Sequence, residues 1–253
     1  MHLPEIDKYA NLNSIFHSWD PRIKIVSFSF LIVSIALLPK LLPACLGFII
    51  AIAFVFMSRI PFVFVLKHLR WVMLFVIFFL IAMPLTVGGE EIVKLGFITI
   101  SWEGLRLALL ISLRAISICL LIFPMIGTTK FHKSLKALQK LKIPNRLIQM
   151  VMFTYRYIFL FMGELGRMFT ALDAKLFKKR TNIFTFKIIG NLTGMLFVRG
   201  FERTQTVYNA MASRGYKGNL RILDEFRLCG KDFIKAFFII TLGVSLHLAR
   251  LIL

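Results

Sequence analysis

Apolar residues fall into five long runs separated by short polar breaks: Ile23–Leu38, Leu41–Ser58, Trp71–Val87, Leu105–Ile126 and Phe233–Leu253. Each approaches the roughly 17–25 residues that carry an α-helix across a bilayer, so the pattern predicts five spans. Between the third and fourth runs, Gly88–Gly104 shows weak alternation at Ile98, Thr99, Ile100 and Ser101 with glycines on either side, which predicts a short external hairpin. A different period appears from Asn145 to Lys175. Leu147, Val151, Tyr155, Ile158, Met162, Leu165, Phe169 and Leu172 recur at steps of three and four, one stripe of a helix that starts after Pro144. Arg146, Arg156, Glu164 and Arg167 make this helix too charged to span, so it reads as an amphipathic helix lying beneath the membrane domain, about 45 Å long at 1.5 Å per residue.

Two further stretches follow, Ile183–Val198 and Phe201–Ser213, and each runs into an Arg-Gly pair, Arg199-Gly200 and Arg214-Gly215. A glycine that adopts the left-handed conformation ends a helix, and a cation in the last turn complements the helix dipole. Both pairs are therefore read as helix stops that project an arginine fork suited to bidentate pairing with a carboxylate. Gly190 and Gly194 make a small-xxx-small step where another helix can approach closely.

Composition strengthens the membrane reading. Of 253 residues, 58% are hydrophobic and 17% charged, and the mean hydropathy is +0.79. Soluble domains carry about 25% charged residues, so an ordinary soluble enzyme, a disordered chain and a disulfide scaffold are excluded. Thirty-two Lys and Arg face twelve Asp and Glu. In a membrane protein that surplus marks cytoplasmic loops beside anionic headgroups or an acidic partner, and no nucleic-acid partner is inferred. Twelve bases and two acids lie between Lys130 and Arg180, whereas the 88–104 link carries one base, Lys94. The N-terminus, the 59–70 link and the 127–232 region are accordingly placed in the cytoplasm. The chain divides into a four-span membrane domain (1–126), a basic cytoplasmic coupling region (127–232) and a C-terminal transmembrane helix (233–253). The fold class is an all-α integral membrane protein with about five transmembrane helices and a region of long amphipathic and crossed helices. No removable signal peptide is read at the N-terminus.

No nucleotide-binding loop or zinc motif stands in the sequence, and the predicted spans lack carboxylates that could line a proton or cation path, so neither a catalytic set nor a cofactor is assigned. Cys45, Cys119 and Cys229 read as reduced thiols. The five histidines are scattered, and only His2 stays open as a metal contact; no metal site is assigned. Arg114 is the one clear intramembrane charge and is read as a structural anchor whose loss harms folding more than coupling.

The residues resemble a known family, the transmembrane T-component of energy-coupling factor (ECF) transporters, in its cobalt/nickel-type CbiQ subfamily. The resemblance runs through Met1–Ser14, Asp20-Pro21-Arg22-Ile23-Lys24, Gly104-Leu105 to Arg114, Thr128-Thr129, Ala137-Leu138 to Ile143-Pro144, and Tyr155-Arg156-Tyr157. It is most specific over Phe197-Val198-Arg199-Gly200-Phe201-Glu202-Arg203 and Val207 to Tyr216. The resemblance implies that Arg199-Gly200 and Arg214-Gly215 end two crossed cytoplasmic helices and dock on a pair of ABC-type ATPases; the first motif more often has Ser where Gly200 stands here. It further implies a non-catalytic subunit of a bacterial or archaeal cell (inner) membrane importer. Such a subunit transmits ATPase movement to a small membrane-embedded substrate-binding subunit, for cobalt or nickel uptake. The same scaffold serving a vitamin is the nearest alternative, and a membrane enzyme acting on lipid or isoprenoid substrates is the next.

Overall fold

The computed structural model describes residues 12, 14–88, 91–95, 98–178, 180–218 and 230–252. His2, Lys179 and Cys229 lie outside them, as does most of the opening Met1–Ser14 segment. The chain forms two compact units, one built from residues 1–137 and 225–253, the other from 138–224.

The first unit holds α1 (Pro21–Ala36), α2 (Leu41–Met57), α3 (Phe62–Thr86), the strands β1 (Glu91–Leu95) and β2 (Ile98–Ser101), α4 (Trp102–Ile122) and α8 (Gly230–Ile252). Local chemistry sets several of these ends. Asp20 accepts the Arg22 backbone N–H at 2.9 Å, and Pro21 supplies a preset φ at the start of α1. Ser101 accepts the Gly104 N–H at 3.1 Å and caps α4. β1 and β2 pair antiparallel as the predicted hairpin, with Leu95 opposite Ile98.

One boundary differs from the sequence expectation. α3 begins at Phe62, nine residues before the predicted Trp71, so most of the 59–70 link is helix. Lys67 and Arg70 lie exposed on its first turns, where long basic side chains keep their charge in a polar layer while their stems follow the helix. Helix α3, and α4 run on to Gly127, are long and apolar enough to cross a membrane, while α2 is shorter. Val63 and Trp71 are 80% and 70% exposed within the chain, the surface expected of a helix solvated by lipid.

The core of this unit gathers Phe28, Leu31 and Ile35 of α1, Ala51, Phe54 and Val55 of α2, Leu120 and Leu121 of α4, and Ile239 and Leu246 of α8. Phe16 and Trp19, from the segment before α1, close one end of it, Phe16 lying 5.7 Å from Phe28 and 5.8 Å from Phe54 between ring centroids. Two close approaches rest on small residues. A Cβ on Gly104 would come within 2.7 Å of the Met83 carbonyl oxygen and Pro84 Cα, so only glycine lets α3 and α4 meet there. The Ser34 hydroxyl donates to the Gly243 carbonyl at 2.8 Å, joining α1 to α8.

Helix α4 leaves through a π-helical turn, Phe123–Gly127. Pro124 has no N–H to continue the α ladder, and the Thr128 hydroxyl donates to the Pro124 carbonyl at 2.7 Å. The basic amphipathic helix α5 (Phe131–Lys140), which the sequence reading did not single out as an element, follows. Cys45 and Cys119 are free thiols, as expected.

The second unit is dominated by α6 (Asn145–Ala174) and α7 (Ile183–Ala212), each of 30 residues. The predicted helix from Asn145 is thus present almost to the residue. Its stripe is not its buried face: Leu147, Val151, Ile158 and Met162 are exposed, while Ile148 and Gln149 are buried.

Candidate functional site

The two Arg-Gly pairs were read as two helix stops, and the structure corrects the first. Helix α7 runs unbroken from Ile183 to Ala212, so Arg199-Gly200 lies inside it. The physical reason is packing. A Cβ on Gly200 would stand 3.1 Å from Phe161 Cζ of α6, so this glycine opens room for a neighbouring ring instead of turning the chain. An interior glycine costs about 1 kcal/mol against alanine, a cost that a close helix approach can offset.

Arg214-Gly215 does end the helix. Gly215 has φ +79°. The Gly215 N–H donates to the Ala212 carbonyl at 2.9 Å, and the Tyr216 N–H to the Met211 carbonyl at 3.0 Å, the paired bonds of a Schellman closure. The Tyr216 hydroxyl then donates to Gln149 Oε1 at 2.6 Å, and Gln149 Nε2 donates to the Gly218 carbonyl at 3.2 Å. Buried Gln149 therefore fastens the far end of α7 to the first turns of α6.

A second junction forms at the Gly200 level. Glu164 of α6 pairs with Arg199 of α7 through one carboxylate oxygen and with Arg167 through the other. Its side chain is 17% exposed, against 50% for Arg199 and 74% for Arg167. Leu160, Phe161, Glu164, Arg167, Arg199 and Arg203 line an open groove of about 360 Å³. The arrangement offers no nucleophile or proton-transfer pair; it offers guanidinium donors fixed at helix surfaces, which recognise carboxylates. Among the described residues no cluster of His, Cys, Asp or Glu is arranged to hold a metal ion.

Gly190 and Gly194, earlier on α7, have nothing within 4 Å of an added Cβ among the described residues. Arg114 sits midway along α4, and its Nε is buried without a hydrogen-bond partner among the described residues. Two stretches quoted for the resemblance meet in the first unit: Lys24 Nζ donates to Thr128 Oγ1 at 2.7 Å, to Thr129 Oγ1, and to the Phe16 carbonyl at 3.1 Å.

Sequence reasoning missed Glu164 as the partner of Arg199, Arg167 and Arg203 as its neighbours in the groove, and Gln149 as the tether. Glu164 carried a signal, being one of two acids in the basic 130–180 stretch, with Arg167 three residues on. Nothing in the sequence gave its pairing across 35 positions.

The profile of a family described as cobalt transport protein, CbiQ, matches residues 12–222. The energy-coupling factor transporter transmembrane protein EcfT of Bacillus subtilis is 32% identical over 228 residues, 84% of each chain. The protein of the same name from Macrococcus caseolyticus is 30% identical over 230 residues, 85% of each chain. An uncharacterized protein of Methanocaldococcus jannaschii is 29% identical over 252 residues, covering 96% of this chain and 85% of its own.

Proposed function

This chain belongs to the CbiQ/EcfT family of ECF transporter T-components, and from that premise we propose that it couples two ABC-type ATPases to a small membrane-embedded substrate-binding subunit for cobalt or nickel import. The coarser statement, a transmembrane coupling subunit of an ECF transporter, follows from the family itself. In the proposed mechanism the 127–232 region faces the cytoplasm, and Arg199 and Arg214 seat in grooves of the ATPases. Nucleotide-driven movement of the ATPases displaces α7 and, through its two junctions, α6. That displacement reorients the substrate-binding subunit, which carries the cargo. ATP hydrolysis belongs to the partners.

The observation that carries this reading is the presentation of half-exposed Arg199 within α7 and exposed Arg214 in the turn that closes it, on a helix locked to its neighbour at two points. Cobalt as cargo is supported by the family's description. The vitamin alternative stays in view because the EcfT relatives carry no metal in their names.

The test is co-expression with the genomic neighbours, purification in mild detergent and identification of the co-purifying chains. Two ATPase chains and a small membrane protein are expected, and that complex should take up cobalt or nickel when reconstituted. Arg199→Glu or Arg214→Glu should abolish ATPase association. Unchanged co-purification in both variants would remove the docking assignment, and vitamin uptake without metal uptake would move the cargo to the alternative.

A further inference from the structure

The docking reading uses one arginine at the Gly200-level junction, yet the groove there holds three. Glu164 spends both carboxylate oxygens on arginines, one on Arg199 and one on Arg167. It is the least exposed member of the set, while both guanidinium groups stay open to solvent on their outer edges. Arg203, one turn beyond Arg199 on α7, lines the same groove, and Leu160 and Phe161 complete its wall. Three cations face one anion, so a surplus of two positive charges remains around a dent with apolar sides. A carboxylate shared by two arginines, one nitrogen each, tethers them side by side and leaves the rest of each fork facing outward.

We propose that Arg167, Arg199 and Arg203 form a composite cradle for a pair of carboxylates on the ATPase surface, and that Glu164 is the positioning residue that holds it open. The proposal rests on the coupling reading and extends it to three residues outside the Arg-Gly pairs. A protein surface is favoured over lipid phosphate because the cradle is continuous with Arg199 and two of its arginines are tethered to one carboxylate from within. A mobile array of headgroups requires no such tether.

The experiment uses the co-expressed complex and reads the ATPase retained per T-component chain across a salt series, with thermal unfolding in detergent measured in parallel. Arg167→Gln and Arg203→Gln should each lower retention by about three- to tenfold and flatten its salt dependence, as expected for exposed charges in a complementary interface. Lys178→Gln, an exposed basic control, should leave retention unchanged. Glu164→Gln is the sharper variant. It makes the chain more basic, so general charge attraction alone would raise retention, whereas a positioning carboxylate requires retention to fall. Exchanging the pair, Glu164→Arg with Arg199→Glu, should restore the unfolding midpoint but not ATPase retention.

Retention unchanged in the Arg167 and Arg203 variants, raised in Glu164→Gln, or restored by the exchange would overturn the cradle. So would loss of binding to phosphatidylglycerol vesicles with ATPase retention intact, which would assign the groove to lipid headgroups. If Arg199→Glu itself leaves the ATPases bound, the coupling reading fails instead. The two failures are thus separately visible.

Discussion

Lys24 places a cation wholly out of solvent, one turn into α1. Its three N–H donors meet three oxygens, the Phe16 carbonyl and the hydroxyls of Thr128 and Thr129, and none of these acceptors carries a formal charge. Removing a buried cation also removes its desolvation cost, whereas removing its acceptors leaves that cost uncompensated. Lys24→Met removes that cost but leaves the Phe16 carbonyl and the Thr129 hydroxyl without this donor, so a loss of about 1–3 kcal/mol is expected, against about 3–5 kcal/mol for the double change Thr128→Val with Thr129→Val. Thermal unfolding of the purified chain in detergent gives the order, and a lysine variant less stable than the threonine pair would contradict this account. Gly104→Ala is the steric counterpart. Its Cβ meets backbone atoms of α3, which cannot rotate away, so a loss of about 1–3 kcal/mol is expected. The motifs containing Lys24 and Thr128-Thr129 were visible in the sequence, but their contact across 104 positions depends on the packing of α1 beside the exit of α4.

Among the elements, apolar run length located α1, α2, α4 and α8, because bilayer thickness imposes a length that the sequence must carry. The start of α3 escaped since Lys67, His68 and Arg70 interrupt the apolar run without interrupting the helix; charge patterning reports solvent, and backbone continuity is a separate matter. The same distinction explains Arg199-Gly200. Arginine followed by glycine is a stop only where the glycine takes a positive φ, as Gly215 does and Gly200 does not. Gly215→Ala should cost about 1–2 kcal/mol for the left-handed conformation. It should also loosen the Tyr216–Gln149 tether, so hydrogen exchange should quicken both at the end of α7 and in the first turns of α6. Faster exchange confined to residues 210–218 would argue that the tether is dispensable. The pairings of Glu164 and Gln149 were illegible because they arise only where α6 and α7 face each other.

At the scale of the whole molecule, five helices form a membrane body with a basic helical unit inserted before the last of them. Arg114 belongs to this scale. Its buried Nε has no partner among the described residues, which shifts the sequence expectation that its loss mainly harms folding. Arg114→Leu should leave the yield of the isolated chain undiminished, since a lone cation in mid-bilayer costs about 2.5–3.5 kcal/mol. A fall in transport by the assembled complex would then locate its partner in another subunit; a collapse in yield would return it to an anchoring role within the chain. The uninterrupted course of α7 also bears on the assembly as a matter of phase. Arg214 follows Arg199 by fifteen residues, thirteen within α7 and two in the turn that closes it, which at helical pitch is about 22 Å along the axis and about 60° around it. Spacing and bearing are therefore locked to a single helical count. One alanine inserted after Arg203 would advance Arg214 by only about 1.5 Å but swing it through about 100°. A partner built to grip both arginines would then read the chain as out of step, although every residue it recognises is still present.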